Sequence, residues 1–124
     1  MAARSAKELA VYKKAYELAM LIFEVSKRFP REEQYALTGQ IRRSSRSVAM
    51  CLREGWAKRR YPAHFVSKLT DCDGENSETD TSLDFAKSCL YITPAEREEL
   101  TARAIEIGKM VGSMILNPEP FLLT

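Results

Sequence analysis

Apolar residues recur at steps of three and four along most of this chain, and no stretch alternates with period two over strand length. The pattern predicts helices and no sheet. Leu9, Tyr12, Tyr16, Ala19 and Phe23 form the first repeat, opened by Ser5 and Glu8 at capping-box spacing. Pro30 disfavours helical geometry at the residue before it and cannot donate the next backbone bond, so the first helix is expected over about 6–29. Glu32 and Glu33 suit the N-terminus of a second helix over about 32–58, with Leu37, Ile41, Ser44, Val48 and Leu52 on its inner stripe. Gly39, Ser44, Ser45 and Ser47 lower its helix propensity, yet together with Ala49 they let another helix approach closely.

Pro62 is suited to the first position of a third helix, expected over about 62–90. From there Phe65, Leu69, Cys72, Asn76, Thr79, Leu83, Ala86 and Leu90 keep alternating steps of four and three without a break. The middle of this seam is polar. Between Thr70 and Ser82 there is no large apolar residue, and propensity alone would make the stretch a loop. The unbroken phase assigns it to helix, against a cost of ~1 kcal/mol at Gly74. Asn76 and Thr79 fall on the seam, where a buried polar group must find a hydrogen bond or cost ~1–3 kcal/mol. They are candidate register-setting residues, with Asn76 expected to bond to a neighbouring helix or subunit. Thr93, Pro94 and Glu96 supply an N-cap, a first-position proline and a reciprocal acid for a fourth helix over about 94–116, ended by Asn117 and Pro118. Four helices with short connections predict one all-α domain over residues 1–124, an antiparallel up-down-up-down four-helix bundle.

The 124 residues, 45% apolar and 29% charged, suit one soluble domain that buries roughly 65–70% of its unfolded surface. No apolar run approaches the ~20 residues that span a bilayer and no signal-peptide block opens the chain, so a cytoplasmic location without membrane contact is expected. Three widely spaced cysteines, Cys51, Cys72 and Cys89, argue for reduced thiols.

The net charge of +2 hides a division. Residues 1–60 carry fourteen Lys and Arg against six Asp and Glu, whereas residues 61–124 carry five against eleven. One half could attract an anionic partner, or the halves could neutralise each other within the fold or between subunits. Arg42, Arg46, Arg53 and Arg60 lie within a ~40° stripe of the second helix and its end, about 27 Å long, beside Lys58 and Arg59. These six side chains could follow a phosphate backbone, or could meet the acidic face of Asp71, Glu75 and Glu78 across a subunit contact. His64 is the only imidazole, and the paired Glu-x-x-His motifs of bundle metal sites are absent. No cofactor, metal or enzymatic activity is therefore expected, and Tyr12, Tyr16, Phe23 and Trp56 are assigned to core or interface packing.

YKKAYELA at Tyr12–Ala19, KRFPREEQYALTGQIRRSSRSV at Lys27–Val48, REG at Arg53–Gly55 and SLDFA at Ser82–Ala86 resemble the 23S rRNA-intervening sequence protein family, small bacterial four-helix bundles. Where members commonly carry small residues, this chain reads SVAMCLREG, so Met50, Cys51, Leu52 and Arg53 make the second helix bulkier. The resemblance implies a left-handed antiparallel bundle, often a homopentamer, with no established enzymatic activity. A retroelement accessory protein of similar shape binds nucleic acid and a reverse transcriptase, which by analogy extends the expected partners to nucleic acid or a nucleic-acid enzyme. Two functions are therefore carried forward: a self-associating, non-enzymatic module presenting charged faces, and an RNA- or DNA-binding accessory protein using the arginine stripe.

Overall fold

The computed structural model describes residues 3–123. Four helices account for most of them: α1 (Ala10–Ser26), α2 (Leu37–Ala57), α3 (Pro62–Ser88) and α4 (Pro94–Leu116), with no strand among the described residues. α1 packs on α2 and α4, and α3 packs on the same two, so the helices stand at the corners of a square and consecutive ones run antiparallel.

Two helices start later than their sequence signals suggest. The Ser5 side chain accepts from the Lys7 N–H and Glu8 accepts from the Arg4 N–H, so this pair caps a separate 3-10 turn at Ala6–Glu8. Leu9 is then extended, and α1 begins at Ala10. Glu32 and Glu33 likewise belong to a 3-10 turn at Arg31–Glu33, and the non-helical Ala36 (φ −122°, ψ −107°) delays α2 to Leu37. α1 also ends early, at Ser26. The N–H groups of Lys27, Arg28 and Phe29 reach carbonyls three residues back, a tightened turn that carries the chain to Pro30.

The face that α1 buries differs from the expected one. Val11, Ala15, Leu18 and Ile22 enter the core, while Tyr16 remains 56% exposed and Tyr12 and Phe23 are half-buried. Both sets recur at steps of three and four, so periodicity alone could not rank them. Packing favours the smaller, wholly apolar set at the centre, and the tyrosines lie at the flank where their hydroxyls reach water.

α3 is continuous through its polar middle. Phe65, Leu69, Cys72, Asn76, Thr79, Leu83 and Ala86 are all buried, and Asp71, Asp73, Ser77, Glu78 and Thr81 face outward. Leu90 departs from the seam: it is 89% exposed and has φ 65°. The Tyr91 N–H bonds to the Ala86 carbonyl and the Leu90 N–H to the Lys87 carbonyl, a Schellman motif with leucine at the position usually held by glycine. α4 follows its signals, with the reciprocal Thr93–Glu96 capping box intact. Backbone bonding from Thr93, helped by Arg28, holds the Glu96 carboxyl below the usual range. The tail packs back: Phe121 stacks on Phe65 at 6.4 Å, and the Leu123 N–H reaches the Arg59 carbonyl.

Two glycine exchanges follow from these geometries. A methyl at Gly74 meets nothing within 4 Å, so Gly74→Ala is expected to stabilise the chain by about 1 kcal/mol in urea denaturation. Leu90→Gly relieves the left-handed strain and is expected to stabilise by about 0.5–1 kcal/mol, the freer unfolded chain offsetting part of the gain.

Candidate functional site

The sides of the square differ in how their charges are satisfied. Between α2 and α3, Arg43 contacts Glu75 at 3.2 Å and Glu78 at 2.9 Å, and Lys68 bridges Glu54 at 2.8 Å and Asp71 at 3.5 Å. Between α1 and α4, Lys14 meets Glu106 and Arg103 meets Glu17. The α3–α4 side has Arg97 on Asp84. No ion pair crosses the α1–α2 side among the described residues.

The predicted acidic face is thus met inside the chain, by Arg43 and Lys68. Arg43 was not among the candidate residues, although it lies one residue, and so about 100° of helix, from Arg42. The signal was available in the antiparallel register of α2 and α3, which sets residue 43 opposite 75–78.

The α1–α2 side holds a groove of about 460 Å³ lined by Tyr12, Tyr16, Met20, Arg46, Met50 and Arg53, among others. Tyr16, Met20 and Met50 are 56%, 46% and 61% exposed. Arg42 is tied down: its Nε donates to Ser26 Oγ at 2.7 Å and its guanidinium lies 4.9 Å from the centre of the Phe23 ring. Arg46 covers the same ring at 5.7 Å. Phe23 therefore supports Arg42 and Arg46, while Tyr12 and Tyr16, whose rings are 6.4 Å apart, line the groove, and Tyr16 has no place in the core.

The rest of the predicted stripe turns away. Arg59 stacks on Trp56 at 3.7 Å and donates to that residue's carbonyl, whereas Lys58 and Arg60 are exposed in the turn after α2. None of Arg42, Arg46, Arg53, Lys58, Arg59 and Arg60 forms an ion pair among the described residues.

Asn76 and Thr79 sit in the core and bond across helices. Thr79 Oγ1 lies 2.9 Å from Ser44 Oγ in α2 and 2.9 Å from the Glu75 carbonyl. Asn76 Nδ2 donates to the Ala104 carbonyl of α4 at 2.8 Å, and its Oδ1, buried, has no partner among the described residues. Beside it Asp73, Ser77, Asp80, Ile105 and Gly108 line a recess of about 190 Å³ on the α3–α4 side. Burial pushes the Cys51 and Cys72 thiols up, which disfavours a thiolate at neutral pH. His64 is exposed and edge-on to Tyr61. No group of three or more His, Cys, Asp and Glu among the described residues could hold a metal ion, and no helix is long and apolar enough to cross a membrane.

These features define an antiparallel four-helix bundle with a basic, partly apolar groove on one side and a small acidic recess on the opposite one. The profile of the 23S rRNA-intervening sequence protein family matches residues 7–113, and the chain belongs to that family. A crystal structure from Bacteroides thetaiotaomicron, described as a protein of unknown function from the S23 ribosomal protein family, is 29% identical with a TM-score of 0.77. The match covers 86% of this chain and 98% of that one. No curated protein matches the sequence.

The Ser44–Thr79 contact can be measured. Thr79→Val removes one buried hydroxyl and leaves Ser44 Oγ with only its long 3.4 Å bond to the Ile41 carbonyl, at an expected cost of about 1–3 kcal/mol, whereas adding Ser44→Ala removes both partners and should recover part of that loss. A double-mutant cycle in urea reads the coupling, and strict additivity would show that the two hydroxyls act independently.

Proposed function

We propose that this chain is a non-enzymatic bundle that associates with itself and presents charged faces to a partner. The α1–α2 groove carries this reading. Tyrosine, methionine and arginine are the residues enriched where protein interfaces are buried, and here they line one concave strip. Glu54, also in the strip, is paired with Lys68 of α3, and Arg46 and Arg53 form no ion pair among the described residues, so these guanidiniums keep their capacity for a carboxylate from outside. Leaving Tyr16, Met20 and Met50 in water forgoes hydrophobic stabilisation that a second surface would recover.

A second reading, an accessory protein that binds RNA or DNA, is favoured by a separate observation: six basic side chains without intrachain carboxylates on or just beyond α2. A phosphate backbone would displace counterions there, and affinity would fall steeply with salt. A nucleic-acid enzyme as partner belongs to the same reading.

Light scattering of the purified chain separates these ideas. Self-association predicts a particle heavier than the 14.1 kDa of one chain, and a single species of that mass at micromolar concentration would overturn it. The nucleic-acid reading predicts a salt-sensitive mobility shift of labelled single strands or duplex, lost in Arg46→Glu with Arg53→Glu. Arg42 is left intact in that variant because it bonds to Ser26 and covers Phe23, so its loss would disturb packing as well as charge.

A further inference from the structure

We propose that Cys51 of α2 and Cys72 of α3 form a two-thiol oxidation site, which a small hydroperoxide closes into a disulfide clasping the two helices. The α2–α3 register brings the pair together. Ser44 Oγ lies 2.9 Å from Thr79 Oγ1, and Cys51 and Cys72 are each one heptad further along, in opposite chain directions as antiparallel packing requires. A heptad is almost two whole turns of helix, with a drift of only ~20°. On the other side of the pair, one turn past Cys51 and one turn before Cys72, a Cβ at Gly55 would lie 3.5 Å from the Lys68 Cβ. That separation is at the edge of the ~3.5–4.5 Å range of Cβ atoms joined by a disulfide. The helices are in close contact on both sides of the thiols, and the two cysteines occupy the layer between.

Access and charge assign the order of reaction. Cys51 is half-buried, whereas Cys72 has no exposed surface. Burial pushes both thiols up, and their mutual interaction then separates them: Cys72 favours the Cys51 thiolate, while Cys51 disfavours ionisation of Cys72. The Lys68 ammonium, bridged to Glu54 and Asp71, favours the Cys51 thiolate against those two carboxylates. Cys51 therefore reacts first. Its thiol gives its proton to water, and the thiolate attacks one oxygen of the peroxide. The O–O bond breaks, leaving a sulfenic acid on Cys51 and a hydroxide that becomes water. The Cys72 sulfur attacks the Cys51 sulfur, the S–O bond breaks, and the hydroxyl leaves with the Cys72 proton as a second water. The two thiols supply the two electrons that reduce the peroxide. Burial keeps the thiolate scarce and makes the first step slow, whereas the second joins neighbours already in place.

The third cysteine shows that the pairing is a property of the fold. Cys89 is exposed beyond the last turn of α3, about 25 Å along that helix from Cys72, and reaches neither buried thiol. In the unfolded chain Cys72 and Cys89 are closer in sequence than Cys51 and Cys72, so both pairings are accessible there.

Oxidation of the reduced protein tests the assignment, with hydrogen peroxide as the probe at a dose that oxidises the exposed Cys89 of the native chain. The folded Cys89→Ser variant is expected to lose two hydrogens by intact mass and both alkylatable thiols, with peptide mapping joining Cys51 to Cys72 in one chain. Cys51→Ser and Cys72→Ser are each expected to abolish that bridge, and in Cys72→Ser the oxidised Cys51 is expected to stop at the sulfenic acid and be trapped by dimedone. Peptide mapping of the native sequence is expected to give the Cys51–Cys72 bridge alone when folded and a Cys72–Cys89 bridge as well in urea. The bridged chain is expected to unfold at a higher urea midpoint, a shift that dithiothreitol reverses, because the cross-link restricts the unfolded state. If the folded Cys89→Ser variant keeps both thiols, carries only sulfinic or sulfonic acids, or bridges them only in urea, the assignment fails. A lower urea midpoint for the bridged chain would show that the helices must part to be joined, and would overturn it as well.

Discussion

The Thr79 hydroxyl lies at the centre of the bundle, fully buried, between the Ser44 side chain of α2 and the Glu75 carbonyl of its own helix. Asn76, one turn earlier, reaches the opposite neighbour through the Ala104 carbonyl. α3 is thereby bonded on both flanks at the stretch where it has the fewest large apolar side chains. A slide of α3 by one residue along either neighbour would strand these groups in an environment without water, so the contacts select one register among those that hydrophobic packing alone would allow. Every surface on α3 and its neighbours takes its alignment from that register, including the facing of Arg43 on Glu75 and Glu78 and of Lys68 on Glu54.

The register also explains how a chain with a basic first half and an acidic second half yields sides of such different character. Most cross-helix ion pairs join the two halves, between α2 and α3 or between α1 and α4, where opposite charges meet. The remaining sides each pair helices from the same half. Excess positive charge is left between α1 and α2, and excess negative charge between α3 and α4. Exposed pairs of this kind contribute little stability each, about 0–1 kcal/mol. Their larger effect is on the distribution of unmatched charge, which leaves a dipolar bundle.

Much of this architecture was legible from residue spacing. The phase running from Phe65 to Ala86 identified α3 against its own composition, because outward positions can be polar without weakening the inner stripe. Pro94 and the Thr93–Glu96 box placed α4 directly. Less visible were features that depend on competition between equivalent patterns. Ser5 and Glu8 have the spacing of a helix cap but close a single 3-10 turn, and Glu32 and Glu33 do the same before α2. Two repeats on α1 were equally periodic, and three-dimensional packing placed Val11, Ala15, Leu18 and Ile22 inside. The arginine stripe was correct as angular arithmetic on one helix, yet it extended past the end of α2, so Arg60 leaves the line and Arg59 turns onto Trp56. Met20 and Met50 gained meaning only once the adjoining helix faces were known.

Ala3 and Leu123, the ends of the described chain, lie at the end of the bundle where α2 turns into α3. Ala3, Glu8, Trp56, Arg59 and Leu123 surround one hollow there, and the opposite end is closed by Phe29 on Tyr91 and by the Tyr91 hydroxyl on Glu33. The two ends of the described chain thus share one pole, and the four flanks of the rod are formed by the helices alone. The lateral grooves and charge pairs are therefore set by helix packing, and the pole is where the two ends of the fold are tied together by side chains from α2 and from both ends.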